Sequence, residues 1–189
     1  MIICAGRIEQ FAFAQPVGIG MVEAAVTLTR LCEKEKPENI LFVGTAGSYG
    51  RHEIFDIVPA YTAANIEQSF LEGNAYTPIE DALRGVSCDG AEKVLSKVSR
   101  ETKHAVIVNS SNYITTDRAS WDAYTSRGIL LENMEFFGIV QAAKQCGIPA
   151  AGLFIVTNYC NENAHKDFVK HHSEAMERLT QYMDRYFNA

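Results

Sequence analysis

The sequence predicts an α/β fold: three layers, α/β/α, around a mixed and mostly parallel central sheet. Two observations carry that expectation. Short apolar segments rich in Val, Ile and Phe alternate with segments of helical period along the 189 residues, the pattern of a layered α/β protein. The polar clusters, at residues 44–48, 109–113, 132–135 and 157–158, all follow predicted strands. In open α/β sheets ligands bind beyond the carboxyl ends of the strands, so these clusters predict one composite pocket. No repeat, low-complexity tract or Pro/Gly/Ser linker interrupts the chain, and residues 1–189 read as a single domain.

Residues 1–5 and 11–17 read as the first two strands. Residues 21–34 form a helix whose apolar face is expected at Val22, Ala25, Val26, Thr29 and Leu31, ending in the charges of residues 33–36. Residues 39–43 are a buried strand that runs into a Gly-Thr-Ala-Gly loop at 44–47, and residues 54–60 are another strand, continuing towards Ile66. Residues 67–90 carry no clear signal. A short helix is expected at 91–99, a strand at 105–108, a helix at 117–126 and a strand at 129–131. A helix follows at 135–146 and a strand at 151–156. In the last helix, residues 164–187, Phe168, His172, Ala175, Met176, Leu179, Met183 and Tyr186 follow helical spacing, which reads as a packing helix over the sheet.

Composition excludes several classes. The chain is 47% hydrophobic and 21% charged, with a net charge of −6, against a general nucleic-acid or anionic-membrane surface. The N-terminus meets Arg7 too early for a signal peptide, and no apolar run reaches the roughly 20 residues of a membrane helix; a cytoplasmic location is expected. The five cysteines, Cys4, Cys32, Cys88, Cys146 and Cys160, show no paired ligand spacing. They read as reduced thiols, with no metal site. The half-match Gly18-Ile19-Gly20 to a dinucleotide fingerprint is spoiled by Glu23 and reads as a tight turn.

Four clusters carry chemistry. Gly44-Thr45-Ala46-Gly47 offers backbone donors and a hydroxyl to an anion. Tyr113 can stack on a flat ring. Met134-Glu135 puts a carboxylate at a helix start. Thr157-Asn158 puts an amide at a strand end. In order and spacing this set resembles the nucleoside phosphorylase and nucleosidase superfamily. The resemblance runs from Gly18 to about His165. It implies that Tyr113 and Ile114 contact the base, that Asn133, Met134 and Glu135 hold ribose, and that Thr157 and Asn158 face the leaving purine. Glu135 and Asn158 are the implied catalytic residues, and Thr45, Ala46 and Gly47 the implied phosphate loop.

Three departures matter. Asn133 replaces the first carboxylate of the family's Glu-Met-Glu. Asn158 replaces a proton-donating Asp, and an amide suits a 6-oxopurine. Phe42 replaces the phosphate-binding arginine, which leaves Arg7 as the expected cation, with Arg51, His52 and Arg118 as further candidates. The resulting expectation is a purine nucleoside phosphorylase. It uses inorganic phosphate as co-substrate and no cofactor, and the resemblance implies a homo-oligomer, a dimer or dimer-based hexamer. The alternatives are a nucleosidase using water and a non-catalytic nucleoside-binding protein.

Overall fold

A computed structural model describes residues 1–84 and 106–187; the helix expected at 91–99 and Cys88 lie outside them. Its spine is strand β3 (Ile40–Ser48), buried along its whole length. One edge of β3 is shared by β1 (Ile2–Cys4), parallel, and β7 (Ile129–Asn133), antiparallel. Its other edge pairs in parallel with β8 (Ala150–Tyr159). Strand β6 (Val106–Ser110) joins β7 to β4 (Ile57–Ala64), and β4 returns antiparallel to β8. The strands β3, β7, β6, β4 and β8 therefore close on themselves. Short strands β2 (Gln15–Pro16) and β5 (Ala82–Arg84) extend the edges. Five of the eight described pairings are parallel, so the sheet is mixed and mostly parallel as expected.

Helices α1 (Met21–Glu35) and α4 (Phe136–Cys146) cover one face, with Leu28, Phe136 and Ile139 packed on Phe42, Val108 and Phe154. A short helix α2 (Gln68–Leu71) and a 3₁₀ turn running into α3 (Trp121–Thr125) lie at the periphery. Helix α5 (Ala164–Phe187) covers the opposite face, where Ala175, Leu179 and Met183 meet Leu41, Leu153 and Ile155.

Several expectations are corrected. The face of α1 that is buried carries Ala24, Leu28 and Cys32, whereas Val22 and Val26 are exposed. The reason is Gly138: a Cβ there would lie 2.4 Å from the Met21 carbonyl oxygen. The two helices therefore meet backbone to backbone near their starts, and this turns the Ala24, Leu28 and Cys32 face of α1 towards the sheet. The strand expected at 11–17 reduces to Gln15–Pro16, because Phe11 leaves the sheet to pack on Phe13, ring centroids 5.1 Å apart. The strand expected from residue 54 and continuing towards Ile66 is found at Ile57–Ala64, so only its start is later than expected. Residues 44–47 are not a loop; they continue β3. Likewise Glu132 and Asn133 belong to β7, and Thr157 and Asn158 to β8.

Candidate active site

The ends of β3, β7 and β8, the start of α4, the start of α5 and a turn after β1 surround a cavity of about 240 Å³. The turn is closed by two backbone bonds, Gly6 N–H to Glu9 O at 3.2 Å and Glu9 N–H to Gly6 O at 3.0 Å. Gly6 and Arg7 take left-handed φ of 94° and 55°, which reverses the chain within two residues. The consequence is that Glu9 points back into the cavity, while Arg7 sits exposed at the tip and does not line it.

Glu9 meets Thr45. The Thr45 N–H donates to one carboxylate oxygen at 3.1 Å and its hydroxyl to the other at 2.5 Å. Both Thr45 donors, expected with Ala46 and Gly47 to grip phosphate, are thus engaged by a carboxylate of the chain itself. Phe42, where the family's arginine stands, is fully buried, with its ring centroid 5.7 Å from that of Phe154. Of the other expected cations, Arg118 lies over Trp121 at 4.8 Å, and neither Arg51 nor His52 lines the cavity. Its described walls carry Glu9, Glu132 and Glu135, with His165 as the one imidazole and no Lys or Arg.

Glu135 is 4% exposed and accepts the Gly20 N–H at 2.9 Å. That bond joins the turn before α1 to the start of α4. Burial pushes its carboxyl up to about 7, opposed by the Gly20 bond and reinforced by the nearby Glu9 charge. Gly20 has φ of 81°, and a Cβ on it would meet the Asn112 side chain at 2.9 Å. The Gly18–Gly20 turn thus serves this carboxylate.

Asn133, expected on the sugar, lines the cavity and also supports the start of α4. Its Oδ1 accepts the backbone N–H groups of Glu135 and Phe136, at 2.8 and 3.0 Å, and its Nδ2 donates to Thr45 O at 3.1 Å. An amide caps α4 at its start, which fixes the direction of Glu135 and leaves one amide hydrogen. Met134 lines the cavity beside it.

Asn158 is 6% exposed on the far wall. Its Oδ1 accepts the Thr157 hydroxyl at 2.9 Å and its Nδ2 donates to Tyr159 O at 3.2 Å, so one amide hydrogen is left for a ligand. A bulge lets Gly47 pair with Asn158 directly after Ala46 pairs with Val156, and bulges re-aim side chains. Glycine is needed opposite, because a Cβ at Gly47 would lie 2.9 Å from the Asn158 amide nitrogen.

Ala46 and Gly47 line the cavity with Thr45, and so does Ile114. Tyr113 does not: it is 84% exposed and faces a neighbouring depression, so the expected stacking ring stands outside the cavity. The apolar wall comes instead from Ile8, Ile19 and Phe168. Phe168 and His165 were concealed by their helix, whose spacing reads as packing. Glu9 had a usable signal: an acid four residues after the first strand, behind a glycine.

The model of the phosphorylase superfamily matches residues 2–188. The chain belongs to the phosphorylase superfamily. Among solved structures, native futalosine hydrolase of Helicobacter pylori superposes with a TM-score of 0.80 at 15% identity, covering 99% of this chain and 96% of that one. The 5'-methylthioadenosine/S-adenosylhomocysteine nucleosidase of Streptococcus pneumoniae, bound to a transition-state inhibitor, gives 0.76 at 17% identity, with 96% and 95% covered. The S-adenosylhomocysteine nucleosidase of Streptococcus pyogenes gives 0.74 at 19%, with 96% and 92% covered. No curated protein matches the chain by sequence.

As a phosphorylase-superfamily member the chain places a carboxylate (Glu135) and an amide (Asn158) on one cavity, with a second carboxylate (Glu9) bonded to Thr45 between the strand ends. Such a set offers acceptors for sugar hydroxyls, a donor for a base, and a group able to hold water.

Proposed function

We propose that this chain hydrolyses the N-glycosidic bond of a purine nucleoside, preferring a 6-oxopurine, to give free base and sugar. The observation that carries the reading is the Glu9 carboxylate bonded to both donors of Thr45. Phosphate would need those donors and would face carboxylates from Glu9 and Glu135 with no Lys or Arg on the described walls; like charge at such range opposes binding. Water suffers no such penalty. The phosphorolysis expected from the sequence, and with it the roles of Arg7 and Thr45 as phosphate ligands, therefore gives way to the hydrolytic alternative. Solved structures similar to this fold, named as nucleosidases and a futalosine hydrolase, support the same reading.

In this reading the glycosidic bond breaks first and positive charge develops at C1′. Glu135 accepts the 2′- and 3′-hydroxyl hydrogens and stabilises that charge. The free Asn158 amide hydrogen binds the leaving base at N7 or O6, both acceptors in a 6-oxopurine. N7 is an acceptor in adenine too, so the preference for a 6-oxopurine comes from O6, where adenine presents an amino donor that this hydrogen cannot serve. Glu9 orients water and takes its proton as the oxygen bonds to C1′. The departing purine anion, held by the Asn158 amide hydrogen, takes up a proton from solvent to give the free base, and Glu9 returns its proton to solvent. The reaction needs no cofactor or metal. A homo-oligomer remains part of the proposal, supported by Ile8 and Ile114, exposed at the cavity rim. So does a reducing, cytoplasmic setting, which free Cys4, Cys32, Cys146 and Cys160 fit.

The test is base release from inosine, guanosine, xanthosine and adenosine with and without inorganic phosphate. Equal release in both conditions supports hydrolysis; release only with phosphate overturns it. Asn158→Asp should raise adenosine relative to inosine turnover, and an unchanged ratio would remove Asn158 from base recognition.

A further inference from the structure

Glu132 is a buried carboxylate that the proposed reaction does not use. It is 7% exposed and accepts three hydrogen bonds: from the Tyr49 hydroxyl at 2.6 Å, the Thr115 N–H at 2.8 Å and the Thr115 hydroxyl at 2.5 Å. A buried carboxylate is costly unless its oxygens are satisfied, and here both are. Tyr49 is itself fully buried and stacked on Tyr124, ring centroids 4.4 Å apart. Burial and the Glu132 charge push its phenol up, so it remains a donor. The carboxylate is therefore fixed from the core side and has Thr115 as its outward partner.

Thr115 belongs to the segment 111–117, where every residue except Ser111 and Thr115 is exposed. Apart from Thr115, which also meets the Tyr124 hydroxyl, the segment bonds locally, as in Tyr113 N–H to the Ser111 hydroxyl and Ala119 N–H to Asp117. Burial therefore contributes little to holding it. Yet the segment forms a wall. Ile114 lines the cavity on one side and, with Tyr113 and Thr115, a depression of about 310 Å³ on the other.

We infer that Glu132 is a positioning residue: through both donors of Thr115 it pins the 111–117 segment as the cavity wall and so sets how tightly substrate is held. A carboxylate suits this position because three donors converge on it. An amide nitrogen in place of the oxygen that takes both hydroxyl hydrogens would force the Tyr49 and Thr115 hydroxyls to reverse, leaving the hydrogen of the buried Tyr49 to find another acceptor. The inference rests on the proposed nucleosidase activity for its kinetic consequence, and on the bond geometry alone for the pinning.

Thr115→Val removes one of the two Thr115 bonds and keeps the backbone one; Thr115→Ser keeps both. With inosine as substrate, Thr115→Val should raise KM about tenfold, the effect of one lost hydrogen bond, and leave kcat within about twofold. Thr115→Ser should restore KM. Amide exchange across 111–117 should quicken in Thr115→Val and in Glu132→Gln, and not in Thr115→Ser. Unchanged exchange in Thr115→Val overturns the pinning. A lowered kcat at unchanged KM, or no rescue by Ser, overturns the positioning role. If the unaltered protein releases no base, the nucleosidase reading fails, and exchange alone still decides whether Glu132 pins the segment.

Discussion

Glu9 and Glu135 face one cavity from opposite supports. Glu9 is held by Thr45 at the end of a tight turn, and Glu135 by the Gly20 amide at a helix start. Their proposed tasks differ accordingly. Glu9→Gln keeps an acceptor for Thr45 but removes the base, so kcat should fall about 10²–10⁴-fold with KM little changed, read from steady-state base release. Glu135 has its carboxyl pushed up to about 7 by burial. Because the folded value lies above the unfolded one, the folded chain favours the protonated form. Its stability then falls as pH rises from about 4.5 through about 7. Glu135→Gln escapes that penalty. It should be more stable than the unaltered protein at pH 8, by about 3 kcal/mol as an upper figure, with the gap closing towards pH 5. Denaturant melts at the two pH values check this, and equal gaps would refute it. Activity of the unaltered protein should rise through about pH 7 as the carboxylate forms.

Helix placement decides whether those residues meet. The α1–α4 crossing at Gly138 sets the Gly20 amide against Glu135, because the same two helices begin there. Gly138→Ala forces a methyl towards the Met21 carbonyl. It should cost about 1–3 kcal/mol and raise KM, measured by thermal melts and kinetics together. A change confined to stability would detach the crossing from the site. Asn133 combines two roles at this scale. It lines the cavity, as the resemblance implied, and its oxygen also accepts two N–H groups at the start of α4, a capping role that local sequence alone also allows. The strand ends were read short for a related reason. Gly, Thr, Ser and Asn interrupt apolar runs, yet β3, β7 and β8 continue through them because neighbouring strands satisfy their backbone groups.

At the scale of the molecule, charge and closure act together. The net charge is −6, and the described cavity walls repeat that sign. Millimolar phosphate should therefore leave the melting temperature unchanged, whereas hypoxanthine or inosine, binding only the folded state, should raise it. A shift with phosphate alone would return the site to a phosphorylase. The ring of β3, β7, β6, β4 and β8 gathers at one cavity the ends of β3, β7 and β8, which lie far apart in sequence.

The sequence by itself determined the α/β class, the mostly parallel sheet, the family, and the grouping of Thr45, Met134, Glu135 and Asn158 on one cavity. Those follow from periodicity and from short motifs at strand ends, both local properties. Only the tertiary structure decided that Glu9 rather than Arg7 faces Thr45, that Tyr113 points away, and that Phe168 and Ile8 line the wall. Each of those depends on the angle of a turn or a helix against a distant strand. That angle is set by contacts such as Gly138 on Met21, which no local pattern encodes.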